Sequence, residues 1–240
     1  MPANVAEVRN MHHASASRDG IETPPHQDEI SAVRSSQPVS TAALYKLASI
    51  AGVGSALILL INAAKRASLI PTSDLTQLLA PFAEVLALGL VVGLFMAVGR
   101  RAGLFGAVAF VMNFIALACL EGVEVVINLI FAKLPLETII ELRAGPLGLM
   151  LTFTSLLFLV ASLAFVISMF ADKGVPRIPL VLYAIGVVPI ALRAFVPELA
   201  LDLGLVTLAA AIGWLSVWLW ARANSLVEIK AENGVLAIPR

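Results

Sequence analysis

From residue 42 onward the chain is a succession of apolar runs separated by short polar or Pro/Gly breaks. Each run is near the roughly 20 residues that an α-helix needs to cross the hydrocarbon of a bilayer. In that medium every backbone N–H and C=O must be paired within its own segment, so runs of this length have helix as their workable fold. Six spans are predicted, over 44–64, 79–98, 104–131, 147–171, 178–196 and 199–221. The breaks KRASLIPTSD, GRRAG, ADKGVPR and VPE are too short for anything but antiparallel neighbours. The third connection, AKLPLETIIELRAGP, is longer, and its Leu136, Ile139 and Ile140 beside Glu137, Glu141 and Arg143 predict a short helix lying in the membrane interface.

The expected class is therefore all-α, a polytopic transmembrane helix bundle occupying 42–222. It is flanked by a disordered polar cytoplasmic tail over 1–41 and a short cytoplasmic tail over 223–240. The whole chain is 60% hydrophobic and 13% charged, about half the charge of a soluble domain. The start lacks a basic stretch followed directly by an apolar one, so a cleavable signal peptide is not expected. A formal net charge of zero argues against nucleic acid as a partner. The single cysteine, Cys119, excludes an intrachain disulfide and reads as a small buried hydrophobe. His12, His13 and His26 all precede the first span, so neither a metal nor another cofactor is expected in the bundle.

Six crossings place both termini on one side. The tails and even loops hold eleven basic residues (Arg9, Arg18, Arg34, Lys46, Arg100, Arg101, Lys173, Arg177, Arg222, Lys230 and Arg240). The odd loops hold five (Lys65, Arg66, Lys133, Arg143 and Arg193). Basic residues stay cytoplasmic, so both termini are expected inside a cell (inner) membrane, with Tyr45, Trp214, Trp218 and Trp220 as anchors at that interface. Gly89 and Gly93 form GxxxG, which predicts close packing inside the bundle, with a homo-oligomer through the same face as the second reading. Pro189 is expected to kink the fifth span.

Ionisable groups inside spans are the informative exceptions, because each is costly unless paired, protonated or wetted. On the third span Asn113, Glu121, Glu124 and Asn128 are spaced 8, 3 and 4 apart, which sets them along one stripe of a helix. With both termini inside, Glu121 and Glu124 lie in the outer half of the bundle, and Glu84 on the second span reaches nearly the same depth. Glu84, Glu121 and Glu124 are the candidate acids. Asn113, Phe114, Asn128, Arg193 and Asp202 are candidate binding residues around them. Lys65, Arg66, Arg193, Glu198 and Asp202 are close enough to span ends to reach water instead, and a buried pair that only fixes helix register is the competing account of the acids. Ser55, Thr152, Thr154, Ser155 and Ser162 are expected to bond the preceding helical turn.

The acidic LEG of the third span (Leu120, Glu121, Gly122), the VPR opening the fifth (Val175, Pro176, Arg177) and the six-span length resemble a family of uncharacterised bacterial integral membrane proteins. The resemblance covers residues 44–221 and implies the fold, not an activity. Three functions are consistent with these residues. The first is binding or carriage of a lipid-soluble or protonatable small molecule by the carboxylates. The second is a membrane-embedded, terpene-cyclase-like enzyme in which a protonated Glu acts as general acid on an isoprenoid or lipid, with Phe82 and Phe114 stabilising cationic charge. The third is a regulatory or scaffold subunit.

Overall fold

The computed structural model of the chain describes residues 39–236 and is helical throughout, apart from short connections. The expected tail over 1–41, with its histidines, lies almost entirely outside the described residues. Helix α1, Thr41–Arg66, starts where the Ser40 side chain accepts from the Ala43 N–H, and it ends with Lys65 and Arg66 in its last turn, where cations meet the negative end of the helix dipole. The short α2, Asp74–Leu79, opens with a reciprocal Ser73–Thr76 capping box and leads into α3, Phe82–Val125.

Helix α3 is two arms. Gly103 has φ 61° and ψ −154°, a region open only to glycine, and the chain folds back there. Phe95 and Phe110, on either side of the bend, stack at 4.2 Å with their planes 9° apart, so the arms run side by side as a hairpin. The GRRAG break is thus a bend inside near-continuous helix rather than a loop. The second arm does not stop as regular helix. It loosens into one π turn, Val126–Ile130, in which the Phe131 N–H reaches back five residues to the Val126 carbonyl, and then tightens into a 3₁₀ turn, Phe131–Lys133.

Helix α4, Leu136–Ala144, forms where a short helix was expected, with Leu136 and Ile140 exposed. Next come α5, Pro146–Met169, with Pro146 in its first turn, α6, Arg177–Ala191, and α7, Glu198–Leu236. Because α7 continues past residue 222, the segment expected as a separate C-terminal tail extends the last helix as far as Leu236.

Among the described residues, five helical segments are long and apolar enough to cross a membrane: Thr41–Arg66, Asp74–Gly99, Arg101–Lys133, Pro146–Met169 and Glu198–Glu228. The fifth expected span, 178–196, is shorter. Helix α6 has 15 residues, about 22 Å at 1.5 Å per residue, and it carries Pro189 just before it ends.

The helices close a ring in the order α1, α3, α5, the shorter α6, α7 and back to α1. Side chains such as Leu47, Ile50 and Leu57 on α1, and Phe153 and Val160 on α5, point outward and are exposed, an arrangement that suits lipid and not water. Small residues set the close approaches. A Cβ on Gly93 would collide with Ala48 of α1 and press on Leu219 of α7, and one on Gly89 would meet Ala51 at 3.1 Å, so both glycines seat α3 against α1. At the α6–α7 crossing a Cβ on Gly186 would lie 2.7 Å from the Leu208 nitrogen. Cys119 is only half-buried. Tyr45 is not an interfacial anchor: it is buried, and its hydroxyl donates to the Met96 carbonyl at 3.2 Å.

Candidate functional site: a polar cavity at the Lys65 end of the ring

The ends of α1 and α6, the starts of α3 and α7 and the π turn all meet at one end of the ring. Between them lies a cavity of about 90 Å³, lined on its polar side by Ser55, Lys65, Glu84, Glu124, Asn128 and Arg193. Leu117, Phe158, Leu205 and Leu208 close its apolar side. The cavity holds the liquid volume of about three waters at roughly 30 Å³ each.

Glu124 is the most completely partnered acid. Its Oε1 accepts from the Arg193 guanidinium at 2.7 Å and its Oε2 from the Asn128 Nδ2 at 2.9 Å. The same Asn128 nitrogen also donates to the Glu124 carbonyl at 3.1 Å, and Lys65 Nζ donates to Asn128 Oδ1 at 2.9 Å. A continuous chain, Lys65–Asn128–Glu124–Arg193, therefore ties α1, the end of α3 and α6 together. The π turn carries Asn128 into it, in keeping with the habit of such turns to sit at functional positions.

Glu84 differs. It is buried, it lines the same cavity, and its Oε2 has no hydrogen-bond partner among the described residues. The Ser55 hydroxyl on the facing wall is likewise unpartnered. Sequence reasoning expected Ser55 and Ser162 to bond the preceding turn, and neither does. Ser162 instead donates to Asn113 Oδ1 at 2.8 Å across the α3–α5 contact. The Tyr183 hydroxyl adjoins both Ser162 and Asn113, and Tyr183 also lines the cavity. Only Thr152 follows the expectation, donating to the Gly148 carbonyl.

The remaining expected residues scatter around this centre. Glu121 is half-buried and does not line the cavity. Asn113 is fully buried one layer deeper, with its Nδ2 unpartnered. Phe114 lies on an outer groove with Gly89 and Gly93, and Phe82 is half-exposed; neither ring faces the acids. Asp202 pairs with Arg66 at 3.1 Å, and Glu198 pairs with the same guanidinium. The side chain of Glu198 is 84% exposed while that of Arg193 is 18% exposed. Glu198 therefore reaches outward as expected, whereas Arg193 turns inward to its acid.

A further buried carboxylate, Asp172, lies at the opposite end and was read from sequence only as part of the ADKGVPR loop. Its Oδ1 accepts from the Gly174 N–H at 2.8 Å and from Arg101 at 2.6 Å, and Arg222 approaches its other oxygen at 3.8 Å. Burial alone would push this carboxyl up; the Gly174 amide and then the Arg101 and Arg222 guanidiniums outweigh it and hold the carboxyl below the usual range. Trp218 donates to the Gly174 carbonyl and lies under Arg222, so this end is fastened by α3, α7 and one tight turn.

No protein-family model, no curated protein and no solved structure matches the chain. The class that the fold defines is a multi-helix membrane protein.

Proposed function

We propose that the chain is a six-crossing bundle that binds or carries a lipid-soluble, protonatable small molecule, with Glu84 as the group that receives its polar head. The observation that carries this reading is the Glu84 Oε2 left unpartnered in a cavity whose other acid, Glu124, already has both oxygens taken. A buried polar atom without a partner is costly and is retained where something else supplies the partner. The cavity admits a head the size of an ammonium or hydroxymethyl group, while the body of the molecule would lie among the apolar walls.

In this reading α6 completes the six crossings despite its length. Both termini face the cytoplasm because basic residues favour the Trp218 end, and the chain sits with the six-span bacterial proteins its LEG and VPR segments resemble. Reporter fusions at residues 70 and 102 check the orientation. The loop at 70 should report outside and the bend at 102 inside, and the reverse result removes it.

The test of function is extraction of wild type and Glu84→Gln in native-membrane nanodiscs, followed by mass spectrometry of bound small molecules. Wild type should retain a protonatable amphiphile near one per chain, and the variant at least about tenfold less, the loss of one charge-assisted hydrogen bond. Identical extracts sink the proposal. The same carboxyl would serve an acid-catalysed cyclase or isomerase of a lipophilic substrate. A deletion strain that accumulates a precursor, restored by wild type and not by Glu84→Gln, would favour that reading over carriage.

A further inference from the structure

Outside the polar cavity, on the other side of Arg193, a second cleft of about 180 Å³ opens between the start of α5, the end of α6 and the interfacial helix α4. Its polar lining is Arg143, Arg193, Thr152 and Ser155, and its apolar lining includes Leu156 and Phe195, both exposed at the rim. No acidic side chain lines it. Arg193 is already bonded to Glu124. Arg143 is exposed, its guanidinium lies 5.9 Å from the Phe131 ring centre, and it has no carboxylate within ion-pairing distance among the described residues.

The cleft lies beside α4, whose exposed Leu136 and Ile140, next to Glu137, Glu141 and Arg143, suit the layer where headgroups meet hydrocarbon. A guanidinium without a counter-ion at that depth, with the Ser155 hydroxyl lining the same cleft, matches a phosphate anion, which arginine binds by two parallel hydrogen bonds. The apolar rim at Leu156 and Phe195 suits acyl chains and gives a free ion nothing.

We propose that this cleft is a binding site for an anionic phospholipid, with the phosphate on Arg143 and the acyl chains against Leu156 and Phe195. It shares only Arg193 and Ile127 with the Glu84 cavity and does not depend on what occupies that cavity.

The test is native mass spectrometry of detergent-purified protein offered phosphatidylglycerol or phosphatidylcholine in equal amounts. Wild type should retain phosphatidylglycerol about tenfold more strongly than phosphatidylcholine. Arg143→Gln should erase that preference, Arg143→Lys should keep part of it, and Arg177→Gln at the opposite end and Glu84→Gln should both leave it intact. Equal retention of the two lipids overturns the proposal, as does a preference that survives Arg143→Gln. Displacement of the lipid by millimolar inorganic phosphate would show a site for the free anion and would overturn the assignment to lipid.

Discussion

Replacing Glu124 by Gln keeps the side chain's shape and its bond to Asn128 but leaves Arg193 without a carboxylate. Removing one partner from a buried ion pair costs about 3–5 kcal/mol, and one hydrogen bond to a charged group contributes about 1.5–3 kcal/mol. The Arg193 side chain retains 18% exposure and sits at a helix end, so water relieves part of the penalty and the expected cost is about 2–3 kcal/mol. For a chain of this size each kcal/mol lowers Tm by about 2–4 °C, giving a fall of about 4–12 °C. Arg193→Gln should cost a similar amount, because it leaves the 7%-exposed Glu124 side chain with Asn128 alone. The double variant removes both charges and should be more stable than the sum of the singles by about 2 kcal/mol. Equilibrium unfolding in mixed micelles, followed by the fluorescence of Trp214, Trp218 and Trp220, reads all four proteins. Glu198→Gln is the control, expected to stay within about 0.5 kcal/mol because that acid is largely in water. If the two single effects simply add, to within about 0.5 kcal/mol, the pair is not coupled and Glu124 does not fasten α3 to α6 as described.

Two other outcomes follow from the geometry. Gly103→Ala meets nothing within 4 Å, so its cost is the backbone conformation alone, about 1–3 kcal/mol; an unchanged midpoint in the same unfolding assay would mean that the bend tolerates a side chain and does not need glycine. Asp172 is held below the ordinary carboxylate range, so its contribution is fully present above the unfolded value of about 3.9 and is lost as pH falls through the folded value. The stability gap between wild type and Asp172→Asn should therefore be constant from pH 7 to about 5 and close below about 4, and a gap that widens on acidification would contradict that assignment.

Five of the six expected spans were legible because hydrocarbon imposes one pattern, length and apolarity, that is written locally in each segment, whereas the expected span 178–196 holds only the 15-residue α6. The stripe on the second arm of α3 was legible in part, and the angles say why. At 100° per residue Asn113 and Glu124 lie 20° apart, so both face inward, whereas Glu121 lies 60° from Glu124 and 80° from Asn113. Four residues on one nominal stripe thus divide into those at its centre and one at its rim, and Glu121 falls outside the cavity. The π turn shifts Asn128 in a way that no local residue announces. Arg193 was read as a binding residue near the acids, but its choice of Glu124, like the pairing of Asn113 with Ser162, was not readable, since each joins residues at least 49 positions apart through packing that spacing along one helix does not encode. Asp172 did carry a signal, an Asp two residues before a glycine in a loop, which suits an Asx turn. Its burial between Arg101 and Arg222 depends on where three helices end.

As the proposed sixth crossing, a 15-residue helix seated between two full-length neighbours would also act on the lipid. At about 22 Å, α6 falls roughly 8 Å short of a 30 Å hydrocarbon layer, and the neighbouring α5 and α7 prevent it from adjusting freely. If α6 is the proposed sixth crossing, the bilayer would thin along that one flank, at fractions of a kcal/mol per Å, drawing headgroups and water down towards the end of α6. Such a deformation is least costly where the membrane is already thin, so the length of this single helix, as a crossing, would give the protein a thickness preference that none of its longer helices would confer.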